Sequence, residues 1–196
     1  MSEALPDQAI DQLFLKARSH NGWLEKTVDE ALLRRLYAVL SQGPTANNCN
    51  PARFVFVQSA EAKQRLLPAL KGANAEKVLA APVTAIIAID SQFLELLPQL
   101  FTAYDLASML RDDPVTATTI AFRNGTLQGA YLILAARALG LDCGPMSGFD
   151  SGKIDEAFFP DGHWKTNFLC SLGYGDAAKL RPKGPRLSFE QGSSIV

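Results

Sequence analysis

Hydrophobic positions along the chain recur with two periods, one of about 3.6 residues and one of about 2, and the alternation between them predicts helices and strands. From Asp7 to Ser19, the residues Ile10, Leu13, Phe14 and Ala17 fall at i, i+3, i+4 and i+7, which is one face of a helix. A second helix starts near the cap-like T-V-D-E and carries Leu32, Leu33, Leu36, Val39 and Leu40 before Gly43-Pro44 stops it. R-F-V-F-V-Q at 53–58 reads as a strand, with a charged helical stretch from Ser59. P-V-T-A-I-I-A-I-D at 82–90 is almost unbroken apolar sequence, as expected of a strand covered on both faces. Residues 91–114 have weak periodicity and read as helical pieces and loop.

Thr116 to Leu139 is the longest periodic segment. Its positions Ala117, Ile120, Ala121, Leu127, Ala130, Leu134 and Ala138 predict a heavily buried central helix. Gly140 follows as a C′ residue able to take a positive φ. L-D-C-G-P-M then reads as entry to a strand, and T-N-F-L-C-S-L-G-Y-G as the last strand. Helices and strands interleave without repeats, low-complexity tracts or an evident linker.

Composition narrows the class. At 196 residues, with 47% hydrophobic and 20% charged, the chain is expected to form a single domain over 1–196 with one sizeable core. Nineteen basic against twenty acidic residues, a formal charge of -1, lack the basic footprint of a nucleic-acid binder. The start M-S-E-A-L-P-D-Q shows no secretory pattern and no apolar run reaches the ~20 residues of a membrane span, so no membrane partner is expected. Cys49, Cys143 and Cys170 are odd in number and far apart, which points to a reduced cytoplasmic compartment and to no zinc site.

Two motif-like strings carry little. G-Y-G-D-A-A at 173–178 matches a dinucleotide fingerprint, but the sequence after it, K-L-R-P-K-G-P-R, contains two prolines where a helix should open toward the phosphates. Ser147 lies in P-M-S-G rather than G-x-S-x-G, and only His20 and His163 exist as bases, so a serine hydrolase is disfavoured.

Three other stretches stand out. K-A-R-S-H-N-G-W at 16–23 ends the first helix in a cation, a hydroxyl and an imidazole; taken alone it is a basic helix end. G-P-T-A-N-N-C-N-P-A-R at 43–53 is a polar turn-rich loop, and D-C-G-P-M-S-G-F-D at 142–150 a tight turn between strand and helix. Together, in this order and with P-R-L-S-F-E-Q near the C-terminus, they resemble the nitroreductase family of FMN-dependent oxidoreductases over nearly the whole chain.

The resemblance implies an α+β fold, a mostly antiparallel sheet flanked by helices, in a homodimer with the flavin at the subunit interface. It implies FMN as cofactor and NADH or NADPH as co-substrate. Arg18, Ser19 and His20 match the family's phosphate-facing stretch, although Gly22 stands where a further basic residue is usual. Pro44, Thr45 and Asn48, with Asn50 and Pro51, match part of a loop that reaches the flavin of the other subunit; Ala52 replaces its aromatic. Asn74 and Lys77 match residues at the ring and ribityl chain. Pro145, Met146, Ser147 and Gly148 match the stretch whose amides face the ring, where Gly144 and Gly148 allow close approach and Pro145 fixes the turn. Lys183 and Arg186 match the returning C-terminal cations.

Hydride passing through flavin N5 requires no protein nucleophile or carboxylate dyad, so no catalytic side chain is assigned and ping-pong turnover is implied. Several strings, among them A-F-R-N-G-T-L-Q-G-A-Y-L-I and D-E-A-F-F, resemble a branch that reduces malonic semialdehyde to 3-hydroxypropanoate in pyrimidine degradation. The carboxylate of that aldehyde calls for an arginine, with Arg53, Arg111 and Arg123 as candidates. Two alternatives stay open: a broad nitro or quinone reductase with Phe93, Phe101 and Tyr104 as slot walls, and a flavin-binding module without turnover.

Overall fold

The computed structural model describes residues 3–196. Four strands form one antiparallel sheet in the order β1-β2-β4-β3: β1 Ala52–Val57, β2 Val83–Asp90, β3 Asp142–Met146 and β4 Trp164–Gly173. Helices flank it: α1 Asp7–Ile10, α2 Glu30–Leu40, α3 Ala60–Leu66, α4 Asn74–Ala80, α5 Leu97–Leu100, α6 Leu106–Arg111, α7 Pro114–Ala138, α8 Ser151–Phe158 and α9 Phe189–Gly192. The expected α+β architecture is therefore observed. Among the described residues, no helix is long and apolar enough to cross a membrane.

The sheet is sandwiched because β2 and β4 bury side chains on both faces. Val83, Ala85, Ile87, Cys170 and Leu172 pack under α2 and α7. Ile86, Ala88 and Leu169 point the other way, to Leu66, Val78, Ile154 and Phe159 of the α3, α4 and α8 layer. The period-2 alternation of side chains makes one uninterrupted apolar strand serve both layers. A third cluster gathers Cys49, Phe93, Leu97, Leu110, Ala117 and Ala121 around the irregular segment before α7.

Three expectations from periodicity are corrected. The first helix does not run to Ser19: α1 passes into a π turn, Asp11–Leu15, closed by Lys16 N donating to Asp11 O at 2.8 Å. Beyond it the backbone is taken by β3, where Ser19 pairs in parallel with Cys143 and His20 N donates to Cys143 O at 2.9 Å. The long helix opens two residues earlier than Thr116, with Asp113 capping the Thr116 amide and Pro114 in the first turn, where its missing N–H costs nothing.

The buried face of α7 also differs from the apolar stripe read in the sequence. Leu127, Ala130 and Ala138 are exposed. The face against the sheet carries Ala117, Ala121, Asn124, Gly125, Gln128, Gly129, Leu132, Ala135 and Ala136. Its glycines decide this: a Cβ at Gly125 would lie 2.9 Å from Ile89 and one at Gly129 2.5 Å from Phe168, so the helix sits close to the strands only on that side. Gly140 has φ +80 and ends α7 as anticipated.

Candidate functional site

β3 is an edge strand, and its open side is closed by the Arg18-Ser19-His20 segment. The approach is tight at Gly144, where a Cβ would come within 2.4 Å of the His20 carbonyl oxygen. Gly144 thus makes room for the segment after α1. The imidazole of His20 turns inward, 7% exposed, against Gly175 and beside Trp23. Its Nε2 lies 3.4 Å from Asp142 Oδ1, while Asp142 Oδ2 accepts from Gly175 N at 2.9 Å.

Arg18 and Ser19 instead face a cavity of about 580 Å³ whose lining includes Arg137, Arg181, Lys183 and Arg186. Those five cations form no ion pair among the described residues. Their donors go to backbone carbonyls: Arg18 to Arg181, Lys183 to Leu15, Arg137 to Leu13, and Arg186 to Gly184 and Pro185. Arg137 Nε is buried with no partner at all. Such a lining is suited to a phosphate dianion, which takes several charge-assisted bonds at once. Arg137 and Arg181 carried no motif in the sequence; Arg137 sits in the last turn of α7 and only folding brings it beside Arg18. They also answer the missing cation at Gly22, whose Cβ position is filled by the Lys179 side chain at 2.3 Å.

At the far end of β3, Ser147 and Gly148 follow Pro145 and Met146 into a turn fastened to the start of α4. Gly148 O accepts from Asn74 Nδ2 at 2.9 Å and from Lys71 N at 3.0 Å, and Lys77 Nζ donates to Asn74 Oδ1 at 3.1 Å. The fit is close at Gly148, where a Cβ would lie 2.8 Å from Asn74 Nδ2 and would displace that side chain. Asn74, Lys77, Ser147 and Gly148, distant in sequence, are thereby one cluster.

The loop at 43–51 is elsewhere. Outside the loop its hydrogen bonds run to α7, Leu100, Leu40, Arg53 and Asp90, and none joins it to Arg18–His20, to Ser147–Gly148 or to Lys183–Arg186 among the described residues. Pro44, Thr45 and Asn48 thus share no hydrogen bond with the other sequence-predicted cofactor positions among the described residues, although Arg53 bonds the Asn50 carbonyl of the same loop.

The three arginine candidates differ. Arg53 is held by Asp90 Oδ2 at 2.6 Å and by the Asn50 and Ala52 carbonyls. Arg111 pairs with Glu95 at 3.0 Å on the rim of an apolar cavity of about 420 Å³ that Phe93 and Phe122 also line. Arg123, on the exposed side of α7 in a shallow threonine-lined cavity, makes no ion pair among the described residues. Phe93, Phe101 and Tyr104 do not share one slot: Phe93 is 2% exposed in the core, whereas Phe101 and Tyr104 stack edge to face at 5.0 Å beside a different cavity.

The helical turn at the end of G-Y-G-D-A-A covers only Ala177–Lys179, a single turn and not a helix that could open toward phosphates. Comparison with known proteins decides the family: the sequence profile described as "Nitroreductase family" matches residues 8–174. The chain belongs to the nitroreductase family. A relative named "Putative NADH dehydrogenase/NAD(P)H nitroreductase" from Rhodopseudomonas palustris (strain TIE-1) is 56% identical over 196 residues, covering 100% of both chains. One of the same description from Ralstonia nicotianae is 52% identical over 192 residues, 98% of each. A solved "putative nitroreductase in complex with FMN" from Exiguobacterium sibiricum 255-15 superposes with a TM-score of 0.80 at 18% identity, over 100% of this chain and 99% of that one. Another from Bacillus subtilis reaches 0.83 at 19% identity, covering 97% and 100%. This nitroreductase-family chain is accordingly an oxidoreductase of a family that uses FMN with NAD(P)H as electron donor.

Proposed function

We propose that this nitroreductase binds FMN along the edge of β3, its phosphate at Arg18, Ser19, Lys183 and Arg186 with Arg137 and Arg181, and its ring end at Pro145–Gly148 with Asn74 and Lys77. The observation that carries this reading is the cavity of five cations without a carboxylate among them. Cys143, beside which Ser19 pairs, and Gly148 are five residues apart, about 16 Å at the rise of an extended strand. A ligand touching both ends must be elongated, with an anionic group at the cavity and hydrogen-bonding polar groups at the Asn74–Lys77 end, a description that a flavin phosphate meets.

When bound, FMN supplies hydride transfer between NADH or NADPH and an acceptor. The chain's own groups clamp the phosphate and present Ser147 and Gly148 amides. The active form we propose is a homodimer: among the described residues no hydrogen bond joins the 43–51 loop to these elements in its own chain, so the loop would serve the cofactor of a second copy. Exposed Val115, Phe122 and Leu127 on α7 and Leu187, Phe189 and Ile195 on the C-terminal tail supply apolar surface for that association.

The acceptor we propose is malonic semialdehyde, reduced to 3-hydroxypropanoate as in pyrimidine breakdown. The sequence strings around α7 and β3 support it, and Arg123 is the candidate with its guanidinium free to take the carboxylate. A broad nitro or quinone reductase is favoured by one feature, the apolar 420 Å³ cavity with Phe93 and Phe122 in its wall.

A visible spectrum of the purified protein with added FMN, then anaerobic NADH or NADPH, then malonic semialdehyde, separates these readings. Bleaching by pyridine nucleotide and stoichiometric return of the yellow colour with the aldehyde are expected. Return only with quinones or nitroaromatics makes the protein a general reductase, and bound flavin that never bleaches makes it a binding module. In the same assay Lys183→Met and Arg137→Met each weaken FMN at least about tenfold and leave riboflavin binding unchanged, since only FMN carries the phosphate. Equal loss for both flavins would remove the phosphate from this cavity.

A further inference from the structure

The 43–51 loop contains three asparagines in the left-handed region, Asn47 at φ 49, Asn48 at φ 51 and Asn50 at φ 39. Asparagine tolerates that region better than other residues with a Cβ, yet it remains sparsely populated, and three such residues within four positions need external support. The support comes from one face of α7. Asn124, Gln128 and Tyr131 stand at i, i+4 and i+7, in line along the helix. Tyr131 Oη donates to Pro44 O at 2.8 Å. Asn124 Oδ1 accepts from Ala46 N at 2.8 Å. Gln128 Nε2 donates to Asn50 Oδ1 at 3.2 Å and Gln128 Oε1 accepts from Ala52 N at 2.9 Å. The three side chains thus engage the loop at its beginning, middle and end.

Two further features show that this is a built arrangement. Asn124 and Gln128 are each only 4% exposed, on a helix face otherwise made of glycine, alanine and leucine. Buried amides are retained only when bonded: Asn124 Nδ2 donates to Ile120 O of its own helix at 2.8 Å, and the other bonds of the two amides run to the loop and to the start of β1. Gly43 lies flat on the Tyr131 ring, where a Cβ would sit 2.2 Å from it. Within the loop, Asn50 Nδ2 donates to Asn48 O at 2.7 Å and Asn48 Nδ2 reaches Leu100 O at 2.9 Å, so the orientation of Asn48 depends on Asn50, and that of Asn50 on Gln128.

We infer that Asn124, Gln128 and Tyr131 are positioning residues that hold the asparagine loop in its left-handed form for contact with the cofactor of a second copy. This rests on the proposal that the loop reaches the flavin. The helix face acts through Asn50, Asn48 and the loop backbone, and none of the three residues touches the 580 Å³ cavity.

The test uses the FMN-loaded dimer and reads FMN dissociation by flavin fluorescence, the position of the flavin absorption bands and the melting temperature. Asn124→Leu and Gln128→Leu, which leave the Ala46 or Ala52 amide without a partner, are expected to weaken FMN by about tenfold and shift its bands. Leu36→Ala, buried in the α2 layer, lowers the melting temperature comparably with FMN affinity unchanged. If Leu36→Ala weakens FMN as much as Asn124→Leu, or if Asn124→Leu and Gln128→Leu bind FMN normally while Asn48→Ala weakens it, the positioning role is overturned and the flavin reading survives. If Asn48→Ala is also without effect, the loop does not reach the cofactor and both are overturned.

Discussion

Replacing Asp90 with asparagine leaves the Arg53 guanidinium nearly enclosed with no anion beside it. The two side chains are 18% and 11% exposed, and their shortest contact is 2.6 Å. Breaking a buried pair by neutralising one partner costs about 3–5 kcal/mol, against about 0–1 kcal/mol for an exposed pair. Two features place this pair at the lower end: Arg53 keeps the Asn50 and Ala52 carbonyls, and the asparagine keeps an acceptor for Gln92 N. The expected loss is about 3 kcal/mol, or about 6–12 °C in melting temperature for a chain of this size. Urea titration and calorimetry at fixed protein and saturating FMN measure it, since ligand and subunit association both shift apparent stability. The double variant Arg53→Met, Asp90→Leu should lose less than the sum of the two single changes. A loss below about 1 kcal/mol for Asp90→Asn would refute the burial argument and return Arg53 to the free arginines, among which it could serve as a substrate anchor.

Gly144→Ala should destabilise the protein by about 2–3 kcal/mol, because its Cβ meets the His20 carbonyl at 2.4 Å and backbone must move to admit it; unchanged melting temperature would show that the Arg18–His20 segment yields freely. Stability should also fall with rising pH above about 8.5, the ordinary thiol pKa. Contact with Cys143 and then burial hold the Cys170 thiol well above that value, and burial raises Cys49, so the unfolded chain loses these protons first and is favoured as pH climbs. Denaturation from pH 7 to 10 checks this, with Cys170→Ala, which cannot titrate, expected to show a flatter profile.

The elements built on local chemistry were legible in the sequence. The unbroken apolar run of β2, the stop at Gly140 and the Ser59 and Asp29 caps need only neighbouring residues, and each lies where periodicity and capping put it. Arg18 and Ser19, which line the cationic cavity, and the turn at Pro145–Gly148 were likewise visible as strings. Tertiary structure decided what depends on contacts remote along the chain. Arg137 has no signature in its own helix, and joins the cationic cavity because α7 ends beside the segment after α1. The first helix ends early because Ser19 and His20 find backbone partners in β3, 124 and 123 residues away. The buried face of α7 was misread for the same reason: a polar side chain is costly inside only if unpartnered, and Asn124 and Gln128 accept from the amides of Ala46 in the loop and Ala52 at the start of β1, 78 and 76 positions earlier. Hydrophobic periodicity records the average cost of burying each residue type, whereas the fold sets the cost at each site.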